Sequence, residues 1–402
     1  MVDGLTTLRR RLGSRAPWLK RTYGSARRVW RSTLSAVADP HFPRETTYEG
    51  SRGKAWFVGV QWRAPSIAAY FCGEDVRAGP AGRVLRHSIP GRINRVAGAG
   101  GLPMVRILEQ DRWPVGLLGR AIVVPQEVAI HTDLPADSDA LRSQLLTSKT
   151  RGDFRRIRHA NFSYRVTTDP AVIREFHERH NAPLVAHRFP DDGWTAPVEH
   201  MLDKLGRGGE LVCADIDGAW VAGVFNIANE TSYDLGTLGI RDGDETVRDK
   251  GVAAALIVRS LERAVELGRG RATLGQSLPF LGRGSLWFKA KWGGMITRNP
   301  EMPELHMFMD VRNAAVRRML SATPIIHIEG DSLVVSTWLE PGERPARDAK
   351  HFPGISRWYV LAEPQTLAAA EAQLSANEWV APIPVTLRRD GPPLWLGEQL
   401  QR

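Results

Sequence analysis

Between residues 252 and 268 the chain reads VAAALIVRSLERAVELG, and its apolar side chains recur at the helical period. Ala254, Ile257, Val258, Leu261, Ala264 and Val265 fall on one face; Arg259, Glu262, Arg263 and Glu266 lie largely opposite. Gly268 is placed to end this helix. The preceding stretch, 209–240, follows another rhythm. Apolar runs broken at Asp217-Gly218 and Asn229-Glu230 predict three antiparallel strands, Asp-Gly being a favoured hairpin connection. RATLGQS (271–277) predicts a further strand returning parallel to an earlier one, so strands, helix and strand form a mixed α/β unit.

Other segments are read the same way. KAWFVGVQW (54–62) and GRAIVVPQEVAIH (119–131) predict buried strands, the second interrupted by Pro125. The glycine-rich stretch 95–103 reads as a loop without the spacing of a dinucleotide fingerprint. In 139–161, Leu141, Leu145 and Leu146 suggest a helix that Phe154, Ile157 and Ala160 continue. A short strand follows at 164–169, then a helix over 169–181 opened by Asp169 as N-cap and Pro170 at the first position. From about residue 312, helix, strands and helix make a small α/β appendage with no visible chemistry.

A chain of 402 residues exceeds one ordinary core, and two or three domains are expected. No run of eighteen apolar residues occurs, and the N-terminus lacks the apolar core of a secretory signal. Two distant cysteines, Cys72 and Cys213, argue against a disulfide scaffold and fit a reducing cytoplasm. Charge adds one feature. Residues 1–35 hold nine arginines and lysines against Asp3, which places +8 of the net +10 in this segment. Trp18, Tyr23, Val29 and Trp30 are interspersed. Such a segment suits an anionic membrane surface or a nucleic-acid backbone, and equally a terminal helix with solvated charges. The expected location is the cytoplasm, with peripheral contact at the inner membrane face through residues 1–35.

The helix opens on Arg248-Asp249-Lys250-Gly251-Val252-Ala253, which fits [Gln/Arg]-x-x-Gly-x-[Gly/Ala] after a strand and before a helix. Physically this is a phosphate cradle: free N–H groups and the helix dipole face an anion. Gly251 admits the anion close to the backbone, Ala253 keeps the first turn narrow, and Arg248 adds a charged donor.

On this loop the chain resembles the GNAT acetyltransferase superfamily, in which the equivalent loop binds coenzyme A. SLWFKAKWGG (285–294) looks like the [Phe/Tyr]-Lys-x-x-[Trp/Phe]-Gly signature of the BioF2-like acetyltransferase and FemAB-type peptidyltransferase groups, and SKTRGDFRRIRHA (148–160) is similar to their basic helix. These pieces span about residues 140–300. The resemblance implies a mixed α/β GNAT-like fold in two tandem copies. The expected organisation is a basic amphipathic segment (1–40), a degenerate first GNAT-like domain (41–139), the acyltransferase domain (140–310) and a C-terminal α/β appendage (311–402).

It also implies a co-substrate, acetyl-CoA or another acyl-CoA, held by Arg248, Lys250, Gly251, Val252 and Ala253. The acceptor is an amine or hydroxyl of a small molecule or cell-envelope precursor. Lys289 is the candidate cation for an oxyanion or phosphate. Tyr233 and Asp234, on the strand before the loop, are candidate acid or base, and Gln276 and Ser277 end the strand after the helix. The bland alternatives are a surface lysine, a core-edge tyrosine and a capping aspartate. Two further readings stay open: aminoacyl transfer from tRNA, and a catalytically silent membrane-surface module. GQSLP (275–279) lacks the second glycine of a nucleophile elbow, no Walker motif occurs, and His177 and His180 read as two exposed helix histidines, so no metal is expected.

Overall fold

The computed structural model describes residues 44–401 apart from 60–63, 74, 106–114, 189–194, 283, 301, 344–351, 375–377, 379 and 388–392. The basic segment 1–35 lies outside the described residues. Contacts divide the chain into two compact units: 1–122 with 305–316 and 389–402, and 123–304 with 317–388.

In the first unit, Arg44–Gly50 and Gly53–Val58 form an antiparallel hairpin. Leu102–Val105 runs parallel to Gly53–Val58 and pairs antiparallel with Glu304–Met307. Trp56, Val58, Ile89, Ile93, Val105 and Phe308 bury together. Arg95–Gly98, expected in a loop, ends the helix Ile89–Gly98: Ile89, Ile93 and Ala97 recur at helical spacing and are buried, which outweighs the glycine content of the stretch.

The second unit carries the motif. Its seven-stranded mixed sheet contains β1 (Val128–Asp133), β2 (Ser163–Thr167), β3 (Gly209–Ile216), β4 (Ala219–Ala228), β5 (Ser232–Ile240), β6 (Arg271–Ser277) and β7 (Met295–Arg298), in the order β7-β1-β6-β5-β4-β3-β2. The helices are α1 (Ser138–Leu145), α2 (Arg151–Ala160), α3 (Pro170–Phe176), α4 (Ala182–Arg188), α5 (Val198–Leu205), α6 (Glu245–Asp249), α7 (Val252–Glu266) and α8 (Gly284–Ala290).

The β3–β4–β5 meander forms as its pattern predicts. Asp217 and Gly218 both take positive φ, the conformation a two-residue hairpin turn requires. β6 returns parallel to β5. The expected apolar face of α7 is the buried one: Ala254, Ile257, Val258, Leu261, Ala264 and Val265 all join the main core. A second face is buried as well, through Val252 and Leu256 against Val212, Val224 and Ile240. The single helix expected across 139–161 is two, α1 and α2. Asp137 caps α1 by accepting from the Asp139 and Ala140 N–H groups at 3.0 and 2.8 Å.

The units do not follow the boundaries expected at 139 and 310. β1 belongs to the motif's sheet. Ile326, Leu333, Val335, Trp358 and Val360 of the C-terminal strands share one core with Leu274, Leu286 and Trp292, because those strands are apolar on the face that needs covering. The chain also returns to the first unit through 305–316 and 389–402.

Asp169 caps α3 as expected, accepting from the Ala171 N–H at 2.8 Å, with Pro170 at the start of the helix. Asp169→Ala is expected to lower stability by about 1 kcal/mol, the usual worth of such a cap, read as a lower denaturant midpoint at unchanged slope. An unchanged midpoint would show that the proline and the packing of Ile173 and Phe176 set the helix start alone.

Candidate active site

Two features made by the backbone define the site. The first is where β5 and β6 part. They pair in parallel over only three positions, Ser232 to Arg271, Tyr233 to Ala272 and Asp234 to Thr273. Both strands continue, β5 to Ile240 and β6 to Ser277, without further pairing to one another. A bulge in β6 explains the divergence. Against β1, Thr273 faces His131 and Gln276 faces Ala129, so β6 carries one extra residue there. Gly275 sits in the bulge with φ of +76°. A second bulge, between Phe225 and Asn226, interrupts the β4–β5 ladder.

Lys289 stands at this parting. α8 carries it, and its Nζ donates to the Gln276 carbonyl at 2.6 Å. A Cβ on Gly275 would lie 3.5 Å from Lys289 Nζ and 3.7 Å from the Leu235 carbonyl oxygen, so the ammonium faces the bulge beside the β5 backbone. Desolvation pushes the Lys289 pKa down to about 8, with buried Glu127 pulling it back up.

The second feature is the start of α7. Gly251 caps it with φ of +88°, a conformation a side chain would strain. The Gly251 N–H turns back to the Arg248 carbonyl at 2.9 Å, and the first bond to the cap comes from the Ala255 N–H at 3.0 Å. The Val252, Ala253 and Ala254 N–H groups therefore open the helix. The Val252 side chain is core, so only its backbone N–H is open at this helix start. Lys250 is exposed beside the loop.

Several expected roles are corrected. Arg248, on α6, bonds Glu245 at 2.9 Å and lies 3.6 Å from Asp249, both carboxylates of its own helix, and the side chain that lies against Gly251 is that of Arg156, not Arg248. Tyr233 is fully buried. Its hydroxyl donates to Glu210 at 2.7 Å and accepts from Asn226 at 3.1 Å, while Arg263 holds Glu210 at 3.0 and 3.1 Å. Burial and the Glu210 hydrogen bond push its hydroxyl pKa far up, so it is a satisfied network member and not an acid or base at the site. Asp234 accepts from Asn229 at 2.7 Å and Ser232 at 3.4 Å, which makes it a fastener of the β4–β5 turn. Ser277 is buried, and its Oγ has no partner among the described residues.

His180 is not an exposed helix residue. It lies in a π turn, His177–Asn181, fully buried and stacked on Trp220 at 4.1 Å, and burial pushes its pKa down to about 4. Among the described residues no group of three His, Cys, Asp or Glu side chains is arranged to hold a metal ion. No helix of the described residues is long and apolar enough to cross a membrane.

A mixed sheet whose two parallel strands part, with the helix that follows the first of them packed on both, is the arrangement of a GNAT-like fold. Residues 147–279 match the family model described as Acetyltransferase (GNAT) domain. That stretch is similar to a GNAT domain, includes the cradle and ends ten residues before Lys289. None of the curated proteins searched matches the chain. Among solved structures it is similar to FemX, at 10% identity over 67% of this chain and 83% of that one, with a TM-score of 0.36. It is also similar to L-PGS from Bacillus licheniformis, at 10% identity over 69% and 86%, TM-score 0.33. A ribosomal-protein-alanine N-acetyltransferase from Brucella melitensis biovar Abortus 2308 is 24% identical over 27% of this chain and 74% of that one, TM-score 0.20.

Proposed function

We propose that this protein is an acyltransferase that moves an acyl group from acyl-CoA to an amine or hydroxyl acceptor. The observation that carries the reading is the conjunction just described: open N–H groups at Val252–Ala254 for a diphosphate, and a lysine ammonium where β5 and β6 diverge. The unpaired edge of β5 from Leu235 onward gives an extended donor arm main-chain groups to bind, as an added strand would. The acceptor's nitrogen or oxygen attacks the thioester carbonyl to form a tetrahedral oxyanion, which collapses as the C–S bond breaks, and the proton the acceptor gives up ends on the departing thiolate. Negative charge develops on the carbonyl oxygen, and the Lys289 ammonium is the donor that stabilises it.

A second reading is supported by α2. Lys149, Arg151, Arg155 and Arg158 are exposed along and just before the helix whose Arg156 touches the cradle. These charges suit the phosphates of an aminoacyl-tRNA donor, with affinity falling steeply as salt rises. Calorimetric titration of the full chain with acetyl-CoA, followed by assay for CoA release with an amine pool, tests the first reading. Saturable binding and acceptor-dependent release are expected. No binding by the wild-type chain overturns it. Retention of charged tRNA at low salt, lost at high salt, then moves the donor to the second reading.

A further inference from the structure

We propose that Arg156, steered by Asp153, is the side-chain cation that receives the donor diphosphate at the Gly251 cradle. This deepens the acyl-CoA reading and rests on it. The sequence pattern gives that part to Arg248, which pairs with Glu245 and Asp249 on its own helix, whereas the side chain lying against Gly251 is Arg156.

Arg156 reaches the cradle from α2. A Cβ on Gly251 would lie 3.3 Å from Arg156 Cβ and 3.6 Å from its Nε. The arginine stem therefore crosses the glycine that precedes the open N–H groups. Its side chain is 54% exposed, so solvent and ligand reach it. Nη2 donates to Asp153 at 2.6 Å, and a guanidinium has five N–H donors, so one bond leaves others for an oxyanion.

Asp153 is what aims it. This carboxylate is only 5% exposed and is shared by two cations, Arg156 and Lys291, whose Nζ lies 2.7 Å away. Lys291 is itself pinned, 4.5 Å from the Phe288 ring centre and 5.3 Å from that of Trp292. Two consequences follow. The trio carries one net positive charge beside the helix N-terminus. And when Arg156 turns donors to an incoming phosphate, Lys291 keeps the buried carboxylate paired, which removes the penalty of stranding it. The second lysine of SLWFKAKWGG thus has a part distinct from that of Lys289: it frees Arg156 to bind.

The test compares two probes on the full chain by calorimetry: CoA, and pantetheine, which has no phosphate. Arg156→Gln is expected to raise the Kd for CoA about tenfold or more, the worth of a hydrogen bond to a charged group, and to flatten the salt dependence of CoA binding. Binding of pantetheine should not change. Lys291→Met should weaken CoA binding less, because Asp153 then competes for Arg156 alone. A CoA affinity within twofold of wild type in Arg156→Gln overturns the inference while leaving the donor reading intact. So does an equal loss for pantetheine, or a larger loss in Arg248→Gln than in Arg156→Gln. Absence of CoA binding in the wild-type chain overturns the donor reading and this inference together. Should Arg156→Gln melt well below wild type without ligand, Arg156→Lys decides: it keeps the charge and should bind CoA better than Arg156→Gln in proportion to that charge, and equal weakness in both variants counts against an electrostatic role.

Discussion

Gly251→Trp is expected to abolish acetyl-CoA binding, with Kd rising at least about 100-fold, while the fold survives. Two effects add. Residue 251 has φ of +88°, where an L side chain costs roughly 1–2 kcal/mol in the free protein. The larger effect is occupancy. A Cβ there would already stand 3.3 Å from the Arg156 stem, so an indole must extend over the open N–H groups or displace the arginine. Either way the anion loses its donors. Gly251→Ala separates the two contributions, since it carries the backbone strain and the first contact but leaves the N–H groups uncovered. It should bind acetyl-CoA with an affinity between wild type and Gly251→Trp. Wild-type affinity in the tryptophan variant, with its melting temperature near normal, would remove the start of α7 from the donor site.

The parts of this site that were legible in the sequence are those fixed by neighbours in the chain. The α7 face, the meander and the glycine that opens the helix each follow from residue spacing, and each element forms where the spacing puts it. The roles assigned within them were less legible, because a role depends on what a side chain meets from elsewhere. Tyr233 and Asp234 are adjacent on β5 and so point to opposite faces. Glu210, 23 positions away, makes the tyrosine a core group, whereas Asn229 next to the turn claims the aspartate. Arg248 matched the motif by position, yet it pairs with Glu245 one turn earlier and is not the side chain that lies against Gly251. Arg156 comes to the cradle from a separate helix, a proximity no local pattern encodes.

Domain boundaries failed for a related reason. Strand patterns at 325–338 and 355–362 show that a sheet forms, but not which core its apolar face will cover. Only the packing of Leu333, Val335 and Trp358 with Leu274 and Trp292 assigns them to the unit holding the motif. The bulges were invisible as well. Gly275 reads in sequence as one glycine in a strand, although it bends β6 away from β5 and so opens the site.

Lys289→Gln is expected to lower the transfer rate by about 10²- to 10³-fold, the usual cost of removing one oxyanion donor, while acetyl-CoA affinity changes little. The split follows from position: Nζ lies at the β5–β6 parting on the Gln276 carbonyl, whereas the proposed diphosphate site is the start of α7. The pH profile provides a second readout. With a pKa of about 8, the ammonium is lost as pH rises through that value, so the wild-type rate should fall on the alkaline side. That limb should be missing from Lys289→Gln and moved upward in Lys289→Arg, whose guanidinium stays charged. Stability should run the other way. Because the folded state holds this proton less tightly than the unfolded chain, with its ordinary value of 10.5, the burial penalty is fully present below about pH 8. It is relieved as pH climbs from about 8 to 10.5. Near neutrality, removing the charge should therefore not destabilise the protein even as the reaction slows. A glutamine variant that melts markedly earlier and loses activity only in step with its folded fraction would mark Lys289 as a packing residue and leave the oxyanion without its proposed donor.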